Sequence, residues 1–410
     1  MKKTVKDKLK AWKWELEKTL KDLISIPTSN PPGLGYRECA DYISKKLDEW
    51  GIEHRVITVP DPKYPRFSII GSYGHGMSGL HFHGHYDVVP ASSSALFTPQ
   101  LERGLLYGRG SSDMKGGLVV ILYALRLLKE LPLFPRGRIS FSFVPDEETG
   151  GAKGTRYLLE NNLLPENCLG MLMPEPTSGS IWNANKGALT YKIIISGKSA
   201  HVGLAYQGVN AFEQMVELAH SFQKIKKKVE MRKTCLPGSL KKTSRSVMLI
   251  GGEAGSGVSF NLVPEKSYFT LDLRLNPEED MSKAREEIEK VIERHRKRGM
   301  KIKAEVLQEG EPSVVSVETE LAQALKKAIF EVKKFIPKFE LCPGLCEIRY
   351  FHKLNIPAYA YGPGLIEVAH CPKEYVRMKD VLDCTLIYFL TAYYLMGDKK
   401  LYPEKLKRLK

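Results

Sequence analysis

Residues 80–90 read Leu80-His81-Phe82-His83-Gly84-His85-Tyr86-Asp87-Val88-Val89-Pro90. The segment begins as an apolar strand and ends in the pattern Gly-His-x-Asp. Neutral imidazole is a good zinc ligand, and its second ring nitrogen needs an acceptor that fixes the orientation of the ring. The carboxylate of Asp87, two residues after His85, could be that acceptor. His81 and His83 share a strand face with His85, because side chains alternate with a period of two, and we expect packed, hydrogen-bonded neighbours there.

On both sides of this strand, apolar runs alternate with segments of helical periodicity. Strands are predicted at 54–59, 68–71, 79–83 and 138–144, and helices at 5–26, 35–50 and 116–131. Such alternation indicates an α/β domain whose sheet is mainly parallel and carries helices on both faces. In sheets of this kind, ligands bind beyond the carboxyl ends of the strands. The polar segments that follow the apolar runs are therefore the candidates for a functional site.

The pattern changes between residues 187 and 310. Strand, helix, strand, strand, helix and strand follow one another at 189–196, 210–229, 246–251, 259–275, 279–299 and 301–307. This βαββαβ order is that of the ferredoxin-like sandwich. A chain of 410 residues is longer than one hydrophobic core usually supports. We therefore predict a catalytic domain at 1–187 and 311–410, interrupted by an inserted domain at 188–310.

A glycine-rich loop precedes the helix predicted at 116–131, and it reads Gly108-Arg109-Gly110-Ser111-Ser112-Asp113-Met114-Lys115-Gly116-Gly117. Its glycines permit close approach of the backbone and unusual dihedral angles. The loop lacks the spacing of a phosphate-binding fingerprint. A single carboxylate in such a loop suits a ligand that bridges two cations, and a helix-capping turn is the alternative.

Acidic residues follow two further apolar runs. Asp146, Glu147 and Glu148 come directly after the strand predicted at 138–144, and a bound cation would relieve their mutual repulsion. A solvated acidic turn is the alternative. Glu175 stands between two prolines at another strand end, and His370 follows a Gly-Pro-Gly turn late in the chain. Taken singly, each of these last two segments would be an ordinary loop.

Taken together, these segments resemble the zinc-dependent peptidase and deacylase family of acetylornithine deacetylase, succinyl-diaminopimelate desuccinylase, aminoacylase and carboxypeptidase G. The resemblance follows the chain in order over nearly its whole length, including the inserted domain. It is most specific at residues 84–90, 108–117 and 146–151. It implies two zinc ions per chain, for which cobalt or manganese could substitute because the ligands are nitrogen and oxygen.

The resemblance implies a role for each acid and histidine of these segments. His85 and His370 would each bind one of the two metals, and Asp113 would bridge them. The acids that complete the two metal sites would be Glu148 and Glu175. Glu147 would be the general base, and Asp87 would orient His85.

The resemblance also implies groups that bind the substrate. His201, in the segment Gly197-Lys198-Ser199-Ala200-His201-Val202, would stabilise the developing oxyanion. Asn261 and Arg274 stand where relatives place substrate-binding groups, and Arg349 resembles an arginine that binds the substrate carboxylate. The chain departs from the family pattern at Cys346-Glu347, where relatives often have Thr-Asp or Ser-Asp. A second departure is Lys186, where many relatives have arginine.

Composition excludes several other classes of protein. Hydrophobic residues make up 43% and charged residues 27% of the chain, as in an ordinary globular enzyme. The longest apolar stretches are too short to span a bilayer, and the basic N-terminus lacks the features of a signal peptide, so a cytoplasmic location is expected. Seven scattered cysteines indicate no disulfide framework. The net charge of +15 is assigned to a solvated cationic surface, because no basic nucleic-acid-binding motif accompanies it.

The sequence therefore predicts an amidohydrolase that removes an acetyl- or succinyl-type N-acyl group from an amino acid or a close analogue. A carboxypeptidase or dipeptidase that acts on short peptides is the alternative within the same class. A non-catalytic binding protein on the same scaffold is the alternative outside it, but neither a ligand nor the base is missing. Relatives pair their inserted domains across a two-fold axis, so a homodimer and a lid or dimerisation role for residues 188–310 are expected.

Overall fold

The structure is a computed structural model that describes residues 2–61, 63–76, 79–131, 137–165, 168–238 and 243–397. The chain divides into two compact units. Unit 1 comprises Met1–Asn183, Val315–Glu340 and Glu347–Lys410, and unit 2 comprises Ala184–Val314 and Leu341–Cys346. Whether the segment 188–310 acts as a lid or a dimerisation domain stays a prediction.

The helices and strands are numbered here along the chain. The helices are α1 (Lys2–Ala11), α2 (Lys13–Ser25), α3 (Tyr36–Glu49), α4 (Gly116–Glu130), α5 (Thr155–Glu160), α6 (Ala211–Val229), α7 (Met281–Lys297), α8 (Glu320–Lys333), α9 (Ile348–Lys353) and α10 (Met378–Met396). The strands are β1 (His54–Val59), β2 (Arg66–His75), β3 (Gly79–His85), β4 (Gln100–Glu102), β5 (Leu105–Tyr107), β6 (Gly137–Val144), β7 (Cys168–Met173), β8 (Ile181–Asn185), β9 (Gly187–Ser196), β10 (Val247–Ser256), β11 (Lys266–Leu275), β12 (Lys301–Gly310), β13 (Ser313–Val314), β14 (Phe339–Cys342), β15 (Ala358–Ala360) and β16 (Tyr375–Arg377).

The central sheet of unit 1 has the strand order β1-β2-β6-β3-β7-β15-β8. Its four middle strands are parallel, since β3 pairs in parallel with β6 and β7, and β15 pairs in parallel with β7. The pairs β1–β2, β2–β6 and β15–β8 are antiparallel. Every residue of β3 is buried, as expected for a strand that is covered on both faces. The predicted α/β fold with a mainly parallel sheet is therefore confirmed, with antiparallel strands at its margins.

Helices cover both faces of this sheet. A Cβ atom added to Gly84 would lie 2.9 Å from Leu118 Cδ2, so α4 packs closely against that face of β3. On the opposite face, the ring of Phe351 in α9 lies 5.1 Å from the ring of His83 and 5.3 Å from that of His81. A separate sheet of three short strands has the order β16-β5-β4.

Unit 2 has its own sheet and its own core. Its four strands have the order β10-β11-β9-β12, and all neighbours are antiparallel. With α6 and α7 between them in the chain, these strands confirm the predicted βαββαβ order of a ferredoxin-like domain. Asn210 caps α6, because its side chain accepts hydrogen bonds from the backbone N–H groups of Phe212 and Glu213. The core comprises alternate residues of the strands, such as Ile193 and Leu271, and apolar residues of both helices.

Two predicted elements differ from the structure. The helix predicted at 5–26 is divided at Trp12 into α1 and α2, although Leu16 N still donates to Trp12 O over 2.9 Å, so one apolar face continues through both. The strand predicted at 259–275 begins only at Lys266. Pro264 stands just before that residue and has no N–H group to donate to a neighbouring strand. In the part of the chain that the structure describes, no helix has the length and apolar character needed to cross a membrane.

Candidate metal centre

The four parallel strands of unit 1 deliver polar residues to one edge of the sheet. β3 ends at His85, and β6 ends at Val144, just before Glu147 and Glu148. β7 ends two residues before Glu175, and the loop after β15 contains His370. The carboxyl ends of adjacent parallel strands lie at the same edge of a sheet, so these residues converge although the chain separates them widely.

Asp113 lies between the two histidines of this edge. It belongs to the turn Ser111–Lys115, which leads into α4. Its Oδ1 atom is 3.3 Å from His85 Nε2, and its Oδ2 atom is 3.3 Å from His370 Nε2. Each carboxylate oxygen of Asp113 therefore faces a different imidazole, which is the geometry of a bridging ligand.

Two groups of ligand atoms result, and Asp113 is common to both. The first group is His85, Asp113 and Glu175, and the second is Asp113, Glu148 and His370, with the atoms of each group within 4.8 Å of one another. In the first, His85 Nε2 is 3.7 Å from Glu175 Oε1. In the second, His370 Nε2 is 3.3 Å from Glu148 Oε2. Glu147 belongs to neither group, although it is adjacent to Glu148 in the chain.

The residues of both groups fit metal ions. Among the described residues, three buried polar atoms of the site have no partner in hydrogen-bond geometry: His85 Nε2, Asp113 Oδ1 and Glu148 Oε1, although the first two lie 3.3 Å apart. Unpartnered buried nitrogen and oxygen atoms are costly in a folded protein unless another group satisfies them. Imidazole nitrogens and carboxylate oxygens are the ligands that zinc uses in catalytic sites, and cobalt and manganese also bind them.

The electrostatics of the metal-free site favour a cation there. Contact with Asp113 and Glu148 raises the pKa of His370 to about 11. Burial would lower the pKa of His85, but Asp113, Asp87 and Glu175 raise it well above its ordinary value. Burial raises the pKa of Glu147 well above its usual range, and Glu148 and Glu347 add to that increase. A cation between these groups would balance the carboxylates that raise the pKa of both histidines.

Asp87 contacts both the potential ligand His85 and the turn that contains Glu147 and Glu148. Its Oδ1 atom is 3.3 Å from His85 Nδ1 and accepts a hydrogen bond from Glu147 N over 3.2 Å. Its Oδ2 atom accepts a hydrogen bond from Glu148 N over 3.1 Å. The side chain of Asp87 is completely buried, so these contacts are shielded from water. They would fix the orientation of the imidazole and the backbone of the acidic turn together.

Asn30, which was not predicted from the sequence as a residue of the site, holds the Asp87 carboxylate by a hydrogen bond. Asn30 Nδ2 donates to Asp87 Oδ2 over 2.9 Å, and it also contacts Asp146 Oδ1 and Thr149 Oγ1. Asn30 lies in the segment Thr28–Gly33, whose prolines and glycine read only as a turn. The sequence carried no signal for these contacts, because the partners of Asn30 are 57 or more residues away in the chain.

The predicted hydrogen bonding of the two inner histidines of β3 is present. His81 contacts the hydroxyls of Ser140 and Ser142, each over 2.8 Å. His83 Nε2 is 2.8 Å from Glu347 Oε2, and both side chains are completely buried. Glu347, which departs from the family pattern, therefore contacts His83 in β3, the strand that ends in His85.

Arg349 is the one predicted substrate-binding residue of unit 1. Its side chain is buried, and Nη2 donates to the carbonyl oxygen of Gly150 over 2.8 Å. Its Nη1 atom has no hydrogen-bond partner among the described residues. Its role toward a substrate carboxylate stays a prediction.

His201, Asn261 and Arg274 belong to unit 2. His201 and Leu262 form an isolated β-bridge, so His201 and Asn261 lie on adjoining segments, and both are exposed. His201 Nδ1 accepts a hydrogen bond from Gly203 N over 3.1 Å. Arg274 forms an ion pair with Asp272, with 2.7 Å between Nε and Oδ1. Their substrate-binding roles also stay predictions.

An α/β sheet with two groups of potential metal ligands at the carboxyl ends of its strands is an arrangement on which metal-dependent hydrolases can be built. A family model described as peptidase family M20/M25/M40 matches residues 81–393 of the chain. The chain belongs to that family of hydrolases, and the resemblance seen in the sequence is confirmed.

Several relatives are similar to this chain in sequence, and several solved structures are similar to it in fold. A probable succinyl-diaminopimelate desuccinylase from Staphylococcus aureus is 28% identical over 284 residues, which cover 64% of this chain and 68% of the relative. An uncharacterised metallohydrolase from Methanocaldococcus jannaschii is 26% identical over 407 residues, which cover 90% and 96% of the two chains. The dipeptidase Dug1p from Saccharomyces cerevisiae has a TM-score of 0.79 at 16% identity, covering 97% of this chain and 99% of its own. The metallo-carboxypeptidase Sso-CP2 from Sulfolobus solfataricus has a TM-score of 0.74 at 20% identity, covering 93% and 99%.

Proposed function

We propose that this protein is a two-zinc amidohydrolase that removes an acetyl- or succinyl-type acyl group from the nitrogen of an amino acid or a close analogue. The observation that supports this most strongly is the geometry of Asp113. Its two carboxylate oxygens face two different imidazoles at 3.3 Å each, within two groups of potential ligands. A single metal site would not need a carboxylate shared in this way.

His85 and Glu175 would hold one zinc ion, His370 and Glu148 would hold the other, and Asp113 would bridge them. Ions at these positions would supply the positive charge that acidifies water and polarises an amide carbonyl. Asp87 would keep the His85 imidazole in the orientation that leaves Nε2 for coordination, because the backbone carbonyl oxygen of Asp87 accepts from the opposite nitrogen, Nδ1, over 3.0 Å and its Oδ1 atom lies 3.3 Å from the same nitrogen.

Glu147 would transfer a proton from the attacking water to the leaving amine. It is next to the ligand groups but in neither of them, so its carboxylate is available to accept a proton from the attacking water. The same oxygen would then donate that proton to the nitrogen of the leaving amine, which departs as a neutral group.

His201 would donate a hydrogen bond to the developing oxyanion. Because its Nδ1 atom accepts a hydrogen bond from Gly203 N, a neutral ring carries its proton on Nε2. Nε2–H is then the donor. Such a donor acts where charge develops in the transition state and therefore contributes to turnover more than to substrate affinity.

The preference for an N-acyl amino acid rests on the 28% identical relative named as a probable desuccinylase. The second candidate function is hydrolysis of short peptides by a carboxypeptidase or dipeptidase, which the peptidase family's description favours. A binding protein without activity is the third candidate. We also propose a homodimer, a cytoplasmic location, and a lid or dimerisation role for the inserted domain at 188–310.

A hydrolysis panel with the zinc-reconstituted protein separates these candidates. The panel contains N-acetyl and N-succinyl amino acids with varied side chains, together with dipeptides of the same residues, and Glu147→Gln serves as the background control. We expect the highest kcat/KM for an N-acyl amino acid. Higher kcat/KM for dipeptides would move the assignment to the peptidases, and no turnover above the Glu147→Gln background for any member would favour the binding protein.

A further inference from the structure

Arg109 and Glu374 form a buried ion pair that contacts the backbone of two loops of the candidate metal centre. Arg109 Nη1 is 2.6 Å from Glu374 Oε2, and the two side chains are 4% and 1% exposed. The two residues are 265 positions apart in the chain. Arg109 begins the loop that leads to Asp113, and Glu374 follows His370 by four residues. The pair therefore joins the two loops that supply Asp113 and His370, two of the three potential ligands of the second group.

Each member of the pair binds the backbone of a ligand-bearing loop. Glu374 Oε1 accepts hydrogen bonds from Ser112 N over 3.0 Å and from Asp113 N over 3.1 Å. Arg109 Nη2 donates to the carbonyl oxygen of His370 over 3.1 Å, and Nη1 donates to that of Cys371 over 3.4 Å. Glu374 thus binds the backbone N–H group of Asp113, and Arg109 binds the backbone carbonyl oxygen of His370.

The two histidines of the centre are supported in different ways. His85 is completely buried, and Asp87 contacts its Nδ1 atom. The side chain of His370 is 49% exposed, and within the described residues its ion-pair contacts are the acids Asp113 and Glu148. His370 also has a φ of 64°, a left-handed backbone conformation that few residues with a side chain adopt. The position of His370 therefore depends on its backbone, which Arg109 holds.

From this arrangement we infer that Arg109 and Glu374 are positioning residues that set the affinity of the His370-side metal, and that the His85-side metal binds independently of the arginine. The inference rests on the proposed two-metal site. A planar guanidinium can bind a carboxylate and two carbonyl oxygens at once, whereas an ammonium group is a single point of charge. Supporting groups behind metal ligands typically change metal affinity by about ten- to a hundredfold.

Arg109→Lys is the sharpest test, because it keeps the positive charge opposite Glu374 but loses the planar guanidinium group and its several donors. Metal-free protein is titrated with Zn²⁺ in a calorimeter with a competing chelator, and His370→Ala identifies which of the two dissociation constants belongs to the His370 side. In Arg109→Lys we expect that constant to rise by about ten- to a hundredfold while the other constant keeps its wild-type value. The double variant Arg109→Gln with Glu374→Gln leaves no unpaired buried charge and keeps an amide oxygen that can accept from Asp113 N, so it should show the same selective loss.

Arg126→Lys is the matched control. Arg126 also forms an ion pair in unit 1, with 2.7 Å between its Nη1 atom and Glu15 Oε2, and its other contacts among the described residues are Glu130 and the rings of Trp12, Trp50 and Tyr123. Both zinc constants should be those of the wild type in this control. Unchanged constants in Arg109→Lys, or an equal weakening of both constants, would overturn the inference. The titration uses no substrate, so a failed hydrolysis panel with wild-type protein rejects the proposed function and leaves this test intact.

Discussion

At the scale of single residues, Glu147 and Glu148 are neighbours in the chain but have different surroundings. Glu148 Oε2 lies 3.3 Å from His370 Nε2, whereas Glu147 is in neither group of ligands. Asp87 holds the backbone N–H groups of both residues. One turn can therefore present two carboxylates in two roles, a proton acceptor and a metal ligand.

This difference predicts opposite results for two matched substitutions. Glu147→Gln should retain both metals and lose about two to four powers of ten in kcat, because only the proton acceptor is removed. Glu148→Gln should lose the His370-side metal. Metal analysis of the dialysed variants, together with kcat at saturating zinc, checks both results. Loss of zinc from Glu147→Gln with zinc retained in Glu148→Gln would require the two roles to be exchanged.

The protonation of His370 predicts how metal binding depends on pH. Without metal its pKa is raised to about 11, so the ring is protonated at neutral pH, whereas a metal ligand must offer a free lone pair. Binding must therefore release at least one proton, and the apparent affinity must increase as the pH rises through the neutral range. Calorimetry in buffers with different enthalpies of ionisation measures the proton count. A binding enthalpy that is the same in every buffer would show that no proton is released.

At the scale of helices and strands, local patterns in the sequence predicted the elements that deliver the ligands. The helix predicted at 116–131 is α4 (Gly116–Glu130), and the strand predicted at 138–144 is β6 (Gly137–Val144), because apolar periodicity is a property of neighbouring residues. The break at Trp12 escaped prediction because the apolar face continues through it. Asn30, Arg109 and Glu374 escaped because their partners lie far away in the chain, and no local pattern encodes those contacts.

Close packing of α4 against the end of β7 predicts a stability effect at a glycine. A Cβ atom added to Gly117 would lie 2.3 Å from the carbonyl oxygen of Pro174, the residue before Glu175. Gly117→Ala should lower the free energy of unfolding by about 1–3 kcal/mol, since overpacking of this size exceeds the gain of about 1 kcal/mol in helix propensity.

Gly344→Ala is the control, because a Cβ atom there meets nothing within 4 Å. Urea denaturation of the metal-free proteins measures both effects and avoids any contribution from bound zinc. Equal midpoints for wild type and Gly117→Ala would contradict the tight contact between α4 and the end of β7.

At the scale of the whole molecule, the candidate catalytic groups are divided between two units of the chain. All five potential metal ligands belong to unit 1, and His201 belongs to unit 2. A donor on a second unit can act only when that unit, from the same chain or from a partner subunit, meets the metal centre.

His201→Ala should therefore lower kcat by about two to three powers of ten with both metals in place, as expected when a transition-state donor is lost. His220→Ala is the control, because His220 is another exposed histidine of unit 2. Steady-state kinetics with zinc-saturated enzyme compare the two variants. Wild-type kcat in His201→Ala would remove this residue from the mechanism.

The central claim is that two metal ions share Asp113 at the carboxyl edge of the unit 1 sheet. Anomalous diffraction at the zinc absorption edge, from crystals of zinc-reconstituted protein, tests it most directly. We predict two peaks per chain, one beside His85 and Glu175 and one beside His370 and Glu148, with a carboxylate oxygen of Asp113 within bonding distance of each, about 2.0–2.2 Å. A single peak, or peaks away from Asp113 at full zinc occupancy, would contradict the claim.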